Sequence, residues 1–566
     1  MNRQVRKWED LLQWTAVALG LLCLNLFISK FFIRVDLTQD KRYSIAPGTR
    51  SLLENLKSNI YVEIYLEGEL NAGFRRLQAA IKQTLEEFNA YSNGRVQFRF
   101  VNPETAKNAE QRAAFQRQLV NAGIQPTNLF ETTSDGKRIQ KIIFPGAIVR
   151  AGTRQGAVNF LKGNLAATAQ ERLNQSVEGV EFELASAIKK VTQQHKPRIA
   201  LIQGHGELKS PLIGDLKTSL EEFFVVEEVM LSNDSALANY QVAVIIQPTR
   251  RYTEEEKFRL DQFIMGGGKA LFMVDMVQMN LDSIAINGAY AFGYDLNLED
   301  MLFRYGVRVN MNLVQDLQMG TIVVNVGQFG NAPNLQPVPW PYYVLANQFG
   351  KHPITRNLNA IYTKFVSSID TVKSKGQVRK IPLVMTNQYS RIRRAPTIVS
   401  LEELKADTDP EKFTQSHIPI AYLLEGKFHS LFRNRFAPEG ISQQAHIIQE
   451  SVPTQIAVIG DGDVAVNELD RRTKQPLPLG FDPITKQTFS NKELILNTLL
   501  YFTDKNGLLE ARLKEVKLRP LDKVRVGEEK IFWQSLNLLL PLLITFLLGG
   551  AWYYIRQKRY AKQTLD

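Results

Sequence analysis

Cysteine and histidine are nearly missing from this chain: one Cys and six His in 566 residues. The lone Cys23 excludes an internal disulfide framework and a CxxC redox pair. It lies inside an apolar run, which excludes a soluble cysteine hydrolase as well. The histidines are scattered, with neither HxxxH nor HExxH spacing, so no zinc site is expected. No GxSxG element is present, and no Walker A motif. GGGK (Gly266–Lys269) lacks the four-residue spacer and the hydroxyl residue after Lys, so it reads as a turn from a helix into a strand. The surplus of positive charge, +12 from 69 Lys+Arg against 57 Asp+Glu, is diffuse. Its only tight cluster is YSRIRRAP (Tyr389–Pro396), either a headgroup-facing patch or a solvated loop, and no nucleic-acid partner is expected. With 44% hydrophobic and 22% charged residues the composition is ordinary, which excludes wholesale disorder and collagen. The length suits about three or four domains.

Two long apolar stretches stand out instead. Leu11 to Ile33 carries one charge, Lys30, and Ile531 to Ile555 carries none. At ~1.5 Å per residue, either helix crosses a ~30 Å hydrocarbon core. Pro541 and Gly549-Gly550 are tolerated in such a span. Four of the five Trp residues (Trp8, Trp14, Trp533, Trp552) lie at or near the span ends, as in interfacial aromatic belts. Basic residues in both tails (Arg3, Arg6, Lys7; Arg556, Lys558, Arg559, Lys562) place both termini in the cytoplasm by the positive-inside rule. The residues between the spans are then extracytoplasmic. No small-x-small site follows the first span, so it reads as an uncleaved anchor in the lipid bilayer.

The expected organisation is a tail (1–10), a span (11–33), an α/β domain (34–195), a second α/β domain with insertions (196–505), a connector (506–530), a span (531–555) and a tail (556–566). In the first domain, Ser44 or Thr49 is a candidate cap for the opening helix. Strands and helices then follow in the order β-α-β-α-β-β-α, which is that of a thioredoxin-like domain without redox cysteines. In the second, RIALI, FVVEEVM, QVAVII, ALFMVDM and TQIAVI alternate with helices. Continuously apolar strands of this kind indicate a parallel sheet covered on both faces. From about Val277 to Ser451 the pattern loosens into loops and short strands. NAPNLQPVPWPYYV (Asn331–Val344) there reads either as a rigid extended loop packing Trp340 or as a ligand- or partner-facing lip.

Polar groups follow four apolar strands: His205 and Glu207, Thr249, Asp275, and Asp461 with Asp463. Ligands bind open α/β sheets at the carboxyl ends of strands, so these six, with Trp340, are the candidate ligand- or partner-binding residues. The other reading is that they cap helices and end strands. GDGDVA (Gly460–Ala465) matches GxGxxA, yet two carboxylates would stand where a pyrophosphate must sit, so nucleotide binding is not expected. No cofactor and no metal are expected. Two functional classes remain open. In one, the chain is a hydrolase using Asp461/Asp463 or His205/Glu207 for acid–base work. In the other it is a binding subunit or a structural tether. Alanine at those four positions is the discriminating test, since an enzyme should lose function outright.

DLTQDKRYSIAPGTRSLLENL, IQGHGE, IGDGDVAVNEL and GLLEARLKEVKLRPLDKVR, in this order and spacing, resemble GldG, the gliding-motility-associated ABC-transporter auxiliary family of Bacteroidetes. The resemblance covers essentially the whole chain. It implies a flavodoxin-like, glutamine-amidotransferase-like middle domain. The nucleophile turn of that domain is matched here by VDMVQ (Val274–Gln278), which has no Cys, so a non-catalytic domain is implied. Also implied are an ABC permease subunit and a cytoplasmic ATPase subunit as partners, an inner-membrane location with the large region periplasmic, and a link to gliding or type IX secretion. A cell-envelope protein or a small ligand would be the outer partner. Gln534, Ser535 and Asn537 either hydrogen-bond across a helix interface or face the interfacial zone.

Overall fold

The computed structural model describes residues 12, 14–23, 25 and 44–561, except for 106–107, 133–137, 162–167, 280–283, 285–287, 330–331, 374–375, 402–408, 442–446, 505–506 and 514–522. Residues up to Lys514 form one compact unit, and those from Glu515 a second.

The first helix, α1 (Pro47–Glu54), starts without a side-chain cap. Ala46 holds the cap position, Pro47 presets the backbone of the first turn, and the Ala46 N–H donates to Glu181 Oε1 at 2.6 Å. Neither Ser44 nor Thr49 caps it, and Thr49 is fully buried within the helix. Strand β1 (Ile60–Ile64) leads to α2 (Ala72–Tyr91), capped by the Asn71 side chain on Phe74 N–H. Leu77, Ile81, Leu85 and Phe88 of α2 are buried at the spacing that predicts one helix face. Then come β2 (Val96–Phe100), α3 (Ala109–Asn121), the hairpin β3 (Thr127–Thr132) and β4 (Arg138–Ile143), β5 (Gly146–Ala151), β6 (Arg154–Asn159) and α4 (Ala169–Thr192). The sheet order is β2-β1-β5-β6, with β1 and β2 parallel and β5 antiparallel to both β1 and β6. The expected element order is present, with the β3–β4 hairpin as an addition. One apparent strand near 141–150 is in fact two, because Pro145 cannot donate to a ladder.

The larger sheet holds β7 (Arg198–Gln203), β8 (Val225–Met230), β9 (Val242–Ile246) and β10 (Lys269–Met273). Helices α5 (Gly214–Glu221) and α6 (Glu254–Met265) connect them. From the irregular region come β11 (Met319–Phe329), β12 (Ala332–Ala346), β13 (Gln348–Phe349), β14 (Val378–Met385) and β15 (Pro419–Gly426), then β16 (Thr454–Ile459) and α7 (Asn491–Thr503). The large sheet runs β13-β14-β15-β16-β10-β9-β7-β8. Five strands (β8, β7, β9, β10, β16) are mutually parallel, as expected, but β13, β14 and β15 extend the sheet antiparallel. The sheet is therefore mixed rather than purely parallel. Its central strands bury both faces: Leu201, Val244, Leu271 and Ala457 pack to one side, Ala200, Ile245, Phe272 and Val458 to the other. That is why their sequences are continuously apolar.

The proline-rich stretch is not a loop. It lies in β12, paired antiparallel with β11. Pro333, Pro337 and Pro339 pair with Gln328, Val323 and Thr321 of β11, and Pro341 falls in a register shift of the ladder, so the pairing to β11 survives. Trp340 is only 2% exposed and packs against Tyr342 and Tyr343. YSRIRRAP is likewise a strand, with Asn312–Asp316 as its antiparallel partner. Arg391 lies over the Phe413 ring and Arg393 bonds Thr397, so most of that charge is engaged.

In the second unit, α8 (Lys530–Ala561) contains the Ile531–Ile555 run, and Lys530–Lys558 is long and apolar enough to cross a membrane. The expected span 11–33 falls largely outside the described residues, within which Trp14–Cys23 is a short apolar helix.

Candidate functional site

Among the parallel strands, spatial order β8-β7-β9-β10-β16 places the reversal of chain direction between β7 and β9. The crevice beyond the carboxyl ends of these two strands is where open α/β sheets take ligands. Here it is filled from within. After β7 the chain turns through Gly204 (φ 129) and Gly206 (φ 82), presenting His205. A Cβ on Gly206 would lie 2.1 Å from Thr249 Oγ1, so only glycine permits this approach. Thr249 and Arg250, beyond β9, both donate backbone N–H groups to the His205 carbonyl at 2.8 Å. The imidazole stacks on Tyr252 with ring centroids 3.5 Å apart. Its Nδ1 pairs with Glu207 Oε1 at 3.0 Å and its Nε2 with Glu256 Oε2 at 2.9 Å. Glu207 also accepts from the His205 N–H (2.7 Å) and the Tyr252 hydroxyl (2.8 Å). Burial opposes charge on the ring, but the two carboxylates outweigh it and raise His205 above the ordinary histidine range. Burial would raise Glu207 and Glu256, yet His205 and the donors around them hold both below the usual range. The result is an ion triad at the crevice, with His205 and Glu207 buried and Glu256 partly exposed.

A second group lies along the same edge, beyond β9, β10 and β16. Gln247 Nε2 donates to Asp275 Oδ2 at 2.6 Å and to Asp463 Oδ1 at 3.2 Å. The Gly462 N–H donates to Asp275 Oδ1 (2.6 Å), the Asp463 N–H to Asp461 Oδ1 (2.7 Å), and the Lys364 N–H to Asp461 Oδ2 (2.8 Å). GDGDVA is thus packing chemistry. A Cβ on Gly462 would meet Gln247 Cβ at 2.6 Å, and one on Gly460 would meet the Ser367 carbonyl at 2.4 Å. A short 3-10 turn, Asp463–Ala465, follows instead of a phosphate-binding helix. Burial and the Asp463 carboxylate push Asp275 up to about 7, and burial with the neighbouring carboxylates raises Asp461 well above the ordinary range. Asp463 is raised by burial and held back by Lys364. Among the described residues, no group of three or more His, Cys, Asp or Glu is placed to hold a metal ion.

The structure therefore sorts the expected residues into two groups, His205/Glu207/Thr249 and Asp275/Asp461/Asp463, and leaves Trp340 with neither. It adds Tyr252 and Glu256 to the first, Gln247 and Lys364 to the second. Glu256 was legible, since Thr253-x-x-Glu256 is a capping box at the start of α6. Gln247 was not, because its signal is a backbone in the left-handed region (φ 51), shared by Phe365 (φ 57) beside Lys364. Non-glycine residues in that region mark strained positions. In the turn 274–278 Asp275 takes no such conformation, so the strain that a nucleophile elbow would carry sits elsewhere.

Asp275 titrates higher in the folded chain than in the unfolded one. Its protonated form supports the fold at low pH, and that support is lost as pH rises through about 7. Asp463→Asn, which removes the repelling charge, is expected to flatten the decline in thermal midpoint between pH 5 and pH 8 relative to the parent chain. An unchanged decline would mean that Asp463 does not set the proton affinity of Asp275.

Residues 196–498 match a family model described as an ABC-type uncharacterized transport system. Residues 39–150 match a domain of unknown function, DUF7088. No curated protein matches the chain. A solved structure described as the mmIFT52 N-terminal domain is similar at 13% identity, covering 54% of this chain and 97% of that one, with a TM-score of 0.31.

Proposed function

This chain belongs to the family of ABC-type uncharacterized transport systems, and from that premise we propose that it is the membrane-anchored auxiliary subunit of an ABC complex. In this reading it is not an enzyme. Its large region senses an extracytoplasmic ligand or envelope partner, and its spans pass the resulting conformational bias to a permease and a cytoplasmic ATPase. The observation that carries the non-catalytic part is the state of the strand-end groups. Glu207 and Asp461 spend their hydrogen bonds on neighbouring side chains and backbone N–H groups, and a carboxylate stands at each ring nitrogen of His205, so they hold loops in place. The lack of a Walker motif in the sequence supports the need for a separate engine. The thioredoxin-like assignment of 34–195, the amidotransferase-like assignment of 196–505, both termini in the cytoplasm, and a role in gliding motility or type IX secretion belong to the same proposal. They rest on the resemblance to GldG and on the distribution of charge. The alternatives are a hydrolase using the strand-end carboxylates and a structural tether.

Affinity purification of the full chain from its native membrane in mild detergent, followed by mass spectrometry, tests the reading. A polytopic permease and a P-loop ATPase are expected in stoichiometric amounts. Recovery of the chain alone across several detergents would refute a stable complex.

A further inference from the structure

Beside the Asp461 group, and outside the filled crevice, lies a cavity of about 490 Å³ under the β11–β12 hairpin. Its size falls in the range of small-molecule sites. Trp340, Tyr343 and Tyr362 line it, with Ile322, Val324 and Ile484 adding apolar surface. Four charged residues face it: Lys364, Glu468, Arg471 and Asp482.

Lys364 is the fixed one. Its backbone N–H is held by Asp461, and its ammonium sits 5.6 Å and 5.7 Å from the ring centroids of Tyr343 and Tyr362. An ammonium has three donors, and Glu468 Oε1, at 2.8 Å, takes one of them. Glu468 is the movable partner, because its side chain is 39% exposed against 21% for Lys364. Asp482 is committed to its own loop, accepting from the Ile484 N–H, the Thr485 N–H and the Thr485 hydroxyl. Arg471 has no ion-pair partner among the described residues, so it adds an unspent cation at the exposed side.

From these groups we infer that the cavity binds a small carboxylic acid with an apolar body, whose carboxylate replaces Glu468 on the Lys364 ammonium. The rings and aliphatic side chains take the apolar body, and Arg471 favours entry of an anion. Glu468 is an internal competitor that occupies Lys364 when the ligand is absent. A buried ammonium is otherwise costly to leave unpaired. The inference deepens the proposed function by naming the class of ligand that the auxiliary subunit takes.

Trp340 is the only Trp away from the span ends, which makes it the reporter. Full-length protein in mild detergent, with Trp8, Trp14, Trp533 and Trp552 replaced by Phe, is titrated with N-acetylphenylalanine and with octanoate. The uncharged amides of both serve as controls. A saturable change in Trp340 emission is expected with the carboxylates and not with the amides. Glu468→Gln should tighten carboxylate binding by about tenfold, because the competing charge is gone. Lys364→Gln should weaken it by tenfold or more. Equal response to the amides, weaker carboxylate binding in E468Q, or no saturable change with either acid would overturn the inference. Because E468Q leaves Lys364 in place, the result does not hang on whether K364Q folds. Co-purification of permease and ATPase is read separately, so failure of the pocket and failure of the proposed function are distinguishable.

Discussion

Glu207→Ala is expected to destabilise the folded chain by about 3 kcal/mol or more, since it strands two buried groups at once. His205 would lose the carboxylate at its Nδ1, and the fully buried Tyr252 hydroxyl would lose its acceptor. The check is the urea midpoint followed by circular dichroism, parent against variant, and a change below about 1 kcal/mol would refute the triad account. The pH dependence has a definite sign. His205 is raised in the fold, so its share is complete below the unfolded value near 6.5 and disappears as pH rises through its folded value. Glu207 and Glu256 are lowered, so their share is complete above about 4.5 and is lost as pH falls through their folded values. The deficit of the variant should therefore be largest between about pH 4.5 and 6.5 and shrink on both sides. One consequence bears on the alanine test suggested by sequence alone. Loss of function after alanine at His205, Glu207 or Asp461 would follow from unfolding as readily as from lost chemistry. The test needs Glu207→Gln, which keeps an acceptor, and a stability measurement beside every activity.

Replacing Lys530–Lys558 with an unrelated apolar helix of equal length is expected to leave the large unit folded and abolish coupling between it and the ATPase. The large sheet and its two cores lie in the chain up to Lys514, so their packing does not draw on this helix. If the span carries a specific interface, ligand- or partner-dependent changes in ATP hydrolysis by the purified complex should vanish in the chimera. Thermal unfolding of the large unit should stay as in the parent. Conformational bias of a few kcal/mol is enough to switch a two-state element, so a span need transmit only a modest preference. Undiminished coupling in the chimera would reduce the span to an anchor.

The strands β7, β9, β10 and β16 were legible because both of their faces are buried and their central residues are continuously apolar. The helices α2 and α6 were legible because one buried face imposes a 3.6-residue period. The region from Val277 to Ser451 was not. Its strands pair across long sequence separations, β14 with β15 and Asn312–Asp316 with Ser390–Arg394, and many are short or half-exposed. Such strands carry no strong local period. The prolines of β12 misled for a definite reason: they read as a loop, although three of them pair with β11 and Pro341 falls in a register shift of the ladder.

Local chemistry written in the sequence determined the long apolar helix α8, the alternation of strands and helices, the glycine turn before β10 and the set of polar groups at the strand ends. These follow from composition and periodicity over a few residues. Only the tertiary structure decided what those polar groups do. Whether His205 meets a ligand or two glutamates depends on Glu256 of α6, 51 positions away. Whether Asp461 is free or holds the Lys364 backbone depends on a residue from the irregular region. A charge is spent or available according to what folding places within about 3 Å of it, and that distance is set by the packing of the whole sheet.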